Sequence, residues 1–173
     1  MKKIIFVSAL FIISILPEGT MKENNPLLKN FDLPPFEEIK EEHFLPAYNI
    51  AIEQHNIEIK EITENKEPAN LKNTVEALDY SGRLLVQVNS IFSNLTSANT
   101  NDEMQKIFKQ VAPLLSAHSD DINLNKILFE RIRTVYEKKD KLNLSAEQNM
   151  LLDKYYKQFI RGGAALSESD KNE

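Results

Sequence analysis

Residues 73–105 read "NTVEALDYSGRLLVQVNSIFSNLTSANTNDEMQ". Val75, Leu78, Gly82, Leu85, Val88, Phe92 and Leu95 recur at steps of 3 and 4, which lays one apolar stripe along a helix. A strand would alternate every second residue, and this stretch does not. Gly82 stands inside the stripe, where it costs about 1 kcal/mol of helix stability relative to alanine. Its presence there predicts the close approach of another helix. "SANTND" ends the segment, and Thr100 with Glu103 three residues later predicts a capping box for the next helix.

The same period continues on both sides. Upstream, Tyr48, Ile52, His55, Ile59 and Ile62 draw a second stripe, which "NKEPAN" breaks. Asn73 with Glu76 predicts the cap of the segment that follows. Downstream, Met104, Ile107, Phe108, Val111 and Leu115 share a face. Pro113 in that segment has no N–H to donate and crowds the preceding turn, so a kink is expected. Leu124, Leu128, Ile132 and Val135 make another stripe, Ser145 and Gln148 another capping box, and Leu152, Tyr155, Tyr156, Phe159 and Ile160 a last face. The expected fold is all-α: an antiparallel bundle or array of five or six helices. It follows an apolar leader and an extended, proline-rich lead-in.

That leader, "MKKIIFVSALFIISILPEGT", places two lysines before thirteen largely apolar residues, Ile4 to Leu16. The length suits a signal-peptide core and falls short of the roughly 20 residues of a membrane span. Residues 1–20 are therefore read as a signal peptide or anchor-like leader, and 21–173 as one helical region. The expected location is periplasmic or otherwise exported, with a membrane tether through residues 1–20; it is cytoplasmic if Met21 is the true start. The 21 basic and 26 acidic residues leave a net charge of −5 with no basic cluster, which argues against nucleic acid as a partner. With no cysteine, disulfides, thiolate nucleophiles and thiolate zinc sites all drop out.

Chemistry-bearing residues are sparse. A helical zinc hydrolase site needs H-E-x-x-H, with two imidazoles on one face and a glutamate as base. The three histidines stand instead in "EEHFLPA", "EQHNIEI" and "SAHSDDI". His55 lies on an apolar stripe and reads as a partly buried core histidine. His118 has Ser116, Ser119, Asp120 and Asp121 for neighbours, but a triad converges from separate elements. The bland reading is that Ser119 or Asp120 caps the next helix. The adjacent pairs Glu37–Glu38 and Glu41–Glu42 point apart on a helix and suit the negative first turn of one. No catalytic, cofactor-binding or metal-ligating residue is assigned.

The lead-in "NPLLKNFDLPPFEEIKEEHFLPAYNIA", Asn25 to Ala51, carries a different kind of signal. Together with residues 73–105, "APLLSAHSDDINLNKILFERIRTVYE" and "LSAEQNMLLDKYYKQFIRGGAAL", it resembles the N-terminal signature of the thimet oligopeptidase and peptidyl-dipeptidase family of zinc metallopeptidases. The landmarks stand in order from Asn25 to about Leu166, and the peptidyl-dipeptidase branch fits best. The resemblance implies a parent several times longer, with its zinc helix, ligands and substrate-binding residues far downstream. This region would then be one helical wall of a channel admitting short peptides, with zinc bound by the parent and none by this chain. Phe31, Leu33 and Phe36 would anchor the lead-in to the body, and "EEH" would start the first long helix without making His43 a site. The competing reading is an exported, non-catalytic helical module that binds a protein partner.

Overall fold

The helices begin where side chains can take up amides that have no partner within the first turn. Asn101 Oδ1 accepts from Met104 N at 2.8 Å, and Asn125 Oδ1 from Leu128 N at 2.9 Å. Ser145 and Gln148 exchange bonds in both directions, as the S-x-x-Q spacing predicts. Two expected caps shift. Asn101, one residue beyond Thr100, caps its helix, while Thr100 Oγ1 accepts from Gln105. Asn70 and Asn73 form the reciprocal pair at the next break; Glu76 is turned to Gln148 instead. Asparagine wins both places because its short amide reaches a backbone N–H two or three residues on.

The structure, a computed structural model, describes residues 24–98 and 100–164; the leader lies outside them. All regular structure among these residues is helical, as expected. We number the α-helices α1 (Phe44–Glu64), α2 (Ala77–Tyr80), α3 (Arg83–Ala98), α4 (Asp102–Asn123), α5 (Lys126–Tyr136) and α6 (Ala146–Arg161). Short 3-10 turns cover Pro26–Leu28, Glu41–His43 and Lys139–Lys141, and a wide π turn over Leu71–Glu76 leads into α2. No helix among the described residues is long and apolar enough to cross a membrane. The helix α4 runs through Pro113 without a break in its residue range; that proline faces solvent, where water can serve the carbonyl it leaves unpaired.

The stripe from Val75 to Leu95 is not one helix. It breaks at Ser81 and Gly82, where Gly82 takes a φ of +69°. The cause is local. The Glu58 carboxylate of α1 accepts the Gly82 N–H at 2.6 Å and so caps the start of α3, where a helix N-terminus favours negative charge. The expectation of a close approach does hold: a Cβ at Gly82 would lie 2.7 Å from the His55 ring.

Contacts along α1 fix the directions. Phe44 stacks edge-on against Phe92, Tyr48 bonds Asn89 and His55 bonds Ser81, so α3 runs antiparallel to α1. Glu41 just before α1 meets Asn101, and His55 meets His118, so α4 runs parallel to it. The pairs Phe129–Phe159 and Tyr136–Tyr156 make α5 and α6 antiparallel. The result is two apolar cores. The first gathers Leu27, Phe44, Ala47, Tyr48, Val88, Phe92, Met104 and Val111; the second gathers Ile59, Ile62, Val75, Leu128, Ile132, Leu152 and Phe159.

The lead-in is anchored, but by other residues than expected. Leu33 is 83% exposed and Phe36 52% exposed, and only Phe31 of the three packs partly against the first core. Leu27 is the fully buried residue. Asn25 fixes it by accepting from Leu27 N and donating to His43 O at 2.8 Å, and Gln87 donates to Leu27 O at 2.9 Å. Pro34 and Pro35 keep their flanking side chains in an extended and turned segment that runs over the surface.

Candidate functional site

The histidines are where the sequence and the structure differ most. His43 stays at the entry to α1, its Nδ1 accepting from Lys40 N at 3.1 Å, which is a structural cap. His118 does not sit at a helix junction. It is buried inside α4, and Asn125 rather than Ser119 or Asp120 caps α5. Ser119 Oγ accepts from Asn123 within the same helix. His55 is partly buried, as its stripe position implies, and it is bonded to His118: Nδ1 of His55 and Nε2 of His118 are 2.9 Å apart. The missed signal is that His118 continues the Val111–Leu115 stripe at a step of 3 and Ile122 follows at 4. Both histidines occupy inward positions on helices that later meet.

The network assigns the protons. Ser81 Oγ–H donates to Leu78 O at 2.7 Å, so Ser81 accepts from His55 Nε2–H at 3.0 Å. His55 Nδ1 is then an acceptor, and His118 Nε2–H donates to it. His118 Nδ1 is left as a buried lone pair with no partner. Both rings are neutral in this arrangement. Burial first, and then His118, hold His55 below the usual imidazole value against the pull of Glu58. Burial likewise lowers His118, against the pull of Asp121.

The chain Ser81–His55–His118 has the outline of a nucleophile, a base and an orienting group. Its direction is wrong for that work. The serine gives its proton to a backbone carbonyl rather than to the histidine. The neighbouring Gly82 N–H, the donor best placed to stabilise an oxyanion, already holds the Glu58 carboxylate. Zinc fits no better. Two imidazoles on one tetrahedral zinc, at roughly 2.0–2.1 Å each, stand about 3.3 Å apart and need further ligands. Here the nitrogens are 2.9 Å apart, His55 Nε2 is committed to Ser81, and no group of three or more His, Asp or Glu among the described residues can hold an ion.

Two clefts open along the first core. One, of about 210 Å³ between α3 and α4, is walled by Phe92, Phe108 and Val111, with the Thr96 hydroxyl unpartnered beside it. It is below the roughly 300–1,000 Å³ of ordinary ligand pockets and has room for about one side chain. The other, about 700 Å³, opens between the lead-in and the Ser81–Gln87 segment.

No family model matches the chain. Individual relatives do. Over 151 residues, 85% of this chain, it is 37% identical to the dipeptidyl carboxypeptidase of Salmonella typhimurium. The dipeptidyl carboxypeptidase of Escherichia coli is 35% identical over 155 residues, 87% of the chain. Oligopeptidase A of Salmonella typhimurium is 28% identical over 142 residues, 82% of the chain. The chain is a relative of the dipeptidyl carboxypeptidases and oligopeptidases A. It spans 22%, 23% and 21% of the length of these three relatives. The resemblance read from Asn25 to about Leu166 is matched in extent by these relatives, which align with 82–87% of the chain.

Proposed function

We propose that this chain is the N-terminal helical part of a zinc-dependent peptidyl-dipeptidase or oligopeptidase acting on short peptides. It supplies one wall of the substrate channel; the zinc ligands and the catalytic base belong to the rest of the parent protein. The 37% identity across 85% of the chain carries this reading, because a likeness of that extent takes in most of the helical array. The lysine-led apolar stretch Ile4–Leu16 supports export of the parent. The chain's own part is to bind and orient: helix faces that leave small clefts beside aromatic side chains suit an extended, unstructured peptide better than a compact ligand.

A segment exchange tests this. Residues 24–164 replace the matching segment of the Escherichia coli dipeptidyl carboxypeptidase, and release of dipeptides from a short peptide is measured. The expected outcome is a soluble hybrid that takes up zinc and retains turnover. A soluble, zinc-loaded hybrid that neither binds nor cleaves short peptides would overturn the proposal. The chain alone is expected to cleave nothing, and its hydrolysis of a peptide with loss on His55→Gln would also count against it.

A further inference from the structure

Three chain segments pass from the first core to the second, and each carries a polar residue where it crosses. On α1 the order is Ala51 in the first core, His55, then Ile59 in the second. On α4 it is Val111 in the first, His118, then Ile122 against the second. Between α2 and α3 it is Leu78 in the second, Ser81 and Gly82, then Leu84 against the first. The three polar positions meet each other: Ser81 Oγ with His55 Nε2 at 3.0 Å, and His55 Nδ1 with His118 Nε2 at 2.9 Å. The seam between the cores is therefore closed by hydrogen bonds where apolar packing stops, and Gly82 leaves the His55 ring just enough space.

This closure depends on proton count. Two neutral imidazoles offer one acceptor and one donor at their contact, which is what a 2.9 Å bond needs. A first added proton has only His118 Nδ1 to go to, a buried atom with no acceptor beside it. A second puts an N–H on each side of the contact, and the two donors repel. The charged groups acting on the pair are Glu58 from α1 and Asp121 from α4. Glu58 is tied to Gly82 N and Gln54, and Asp121 is exposed at the surface of α4. From the turn between, Asp79 is engaged by Tyr155 and Lys154, and Arg83 lies over the Tyr80 ring. No charge from that turn is thus aimed at the rings to hold an added proton. Ser81, at the edge of the seam, lines the open cleft beside Gln54.

We propose that the His55–His118 pair is an acid-released latch: neutral rings hold α1, α4 and the Ser81–Gly82 turn together, and protonation lets the two cores move apart along this seam. The sign follows from linkage. A histidine lowered in the folded state binds more protons when the seam is open, so the latch is fully closed above the ordinary value of 6.5 and weakens as pH falls below it.

Hydrogen exchange by NMR on the full 173-residue chain tests this, read at about pH 7.5 and about pH 5 and corrected for intrinsic exchange. In the wild type, the Ser81 and Gly82 amides should lose protection by about tenfold or more at the lower pH, because the open seam binds the protons that the closed one excludes. His118→Gln keeps a donor for His55 and removes the ring nitrogen that the first added proton enters, so its loss should be no more than a few-fold. Equal loss in wild type and His118→Gln would assign the effect to Glu58 or to general acid destabilisation, and the latch would be wrong. If that variant does not fold, ring-nitrogen NMR of the wild type decides: titration of both rings must coincide with loss of seam protection. Rings that titrate while Ser81 and Gly82 stay protected would overturn the proposal.

Discussion

The two cores are built from the same residue types but are held together differently. In the first, the aromatic rings meet edge to face: Phe44–Phe92 at 5.0 Å and 71°, Tyr48–Phe92 at 5.7 Å and 80°. They join α1 to α3, and α4 and the lead-in pack onto the same core. In the second, the rings stack nearly parallel, with Tyr136–Tyr156 at 3.7 Å and 6° and Phe129–Phe159 at 6.3 Å and 9°. Most of that contact is local, within the hairpin of α5 and α6. Polar clips then fasten the hairpin to the rest. Arg131 donates to Asn65 O at the end of α1 and to Asn73 Oδ1, Gln148 to Glu76, and Tyr155 to Asp79. The difference teaches that the first core gathers segments from Leu27 to Val111, whereas the second sets the short α5–α6 hairpin against Ile59, Ile62 and Val75 from earlier in the chain.

The largest test removes one side of this contrast. Phe159 is fully buried in the second core, and Phe159→Ala should cost about 3–5 kcal/mol. If the cores are separable, residue-level hydrogen exchange should show α5, α6 and residues 71–80 losing protection while α3 keeps it. A uniform loss would mean one cooperative unit and would erase the distinction. The mirror change is Leu27→Ala in the first core. This residue is also fully buried, held by Asn25 and Gln87, and its truncation should cost about 2–5 kcal/mol by chemical denaturation. Protection should then fall first in the lead-in and α3, with the α5–α6 hairpin spared.

A smaller change strikes the seam. Gly82→Ala must hold a φ of +69°, which costs a residue with a Cβ about 1–3 kcal/mol, and the added carbon meets the His55 ring. Denaturant unfolding should report that loss. It should not alter the Tyr136–Tyr156 or Phe44–Phe92 contacts, because neither core includes Gly82. The two halves can also be compared at their helix starts. Asn101→Ala in the first half and Ser145→Ala in the second each remove one N-cap, and each should cost about 1 kcal/mol. A much larger loss at either would show that its helix is the nucleus on which its core depends.

Period and punctuation made most of the fold legible. The faces around Tyr48, Val88, Val111, Leu128 and Leu152 are buried as their spacing requires, because an apolar stripe has to find cover wherever it lies. The break at Gly82 was not legible from that spacing: the stripe continues through it, and the interruption is imposed by Glu58, 24 residues away in sequence. The caps at Asn70 and Asn101 are not legible because Asn73 and Thr100, each with a glutamate three residues on, compete with an asparagine three positions before and one position after. The histidine pair was half legible. Each ring stood on an inward face, but only the parallel course of α1 and α4, which no local pattern states, brings residues 55 and 118 together.

The smallest expected effect lies in the lead-in, where pattern and structure part. Phe36 lies between two prolines and a run of acidic residues, and such a position looks like an anchor. Yet it is 52% exposed, so truncating it removes little area from contact with the rest of the protein, whereas Leu27 nine residues earlier is wholly enclosed. Surface changes away from caps and cores usually stay within about 0.5 kcal/mol, and Phe36→Ala should fall there by chemical denaturation. The comparison is sharpest when Leu27→Ala and Phe36→Ala are unfolded side by side, since both residues are apolar and belong to the same short segment. Burial predicts several-fold more loss at Leu27; a sequence rule that scores aromatic residues beside prolines predicts the reverse. Equal losses would mean that the whole segment docks as a unit and that exposure at Phe36 understates its hold on the first core.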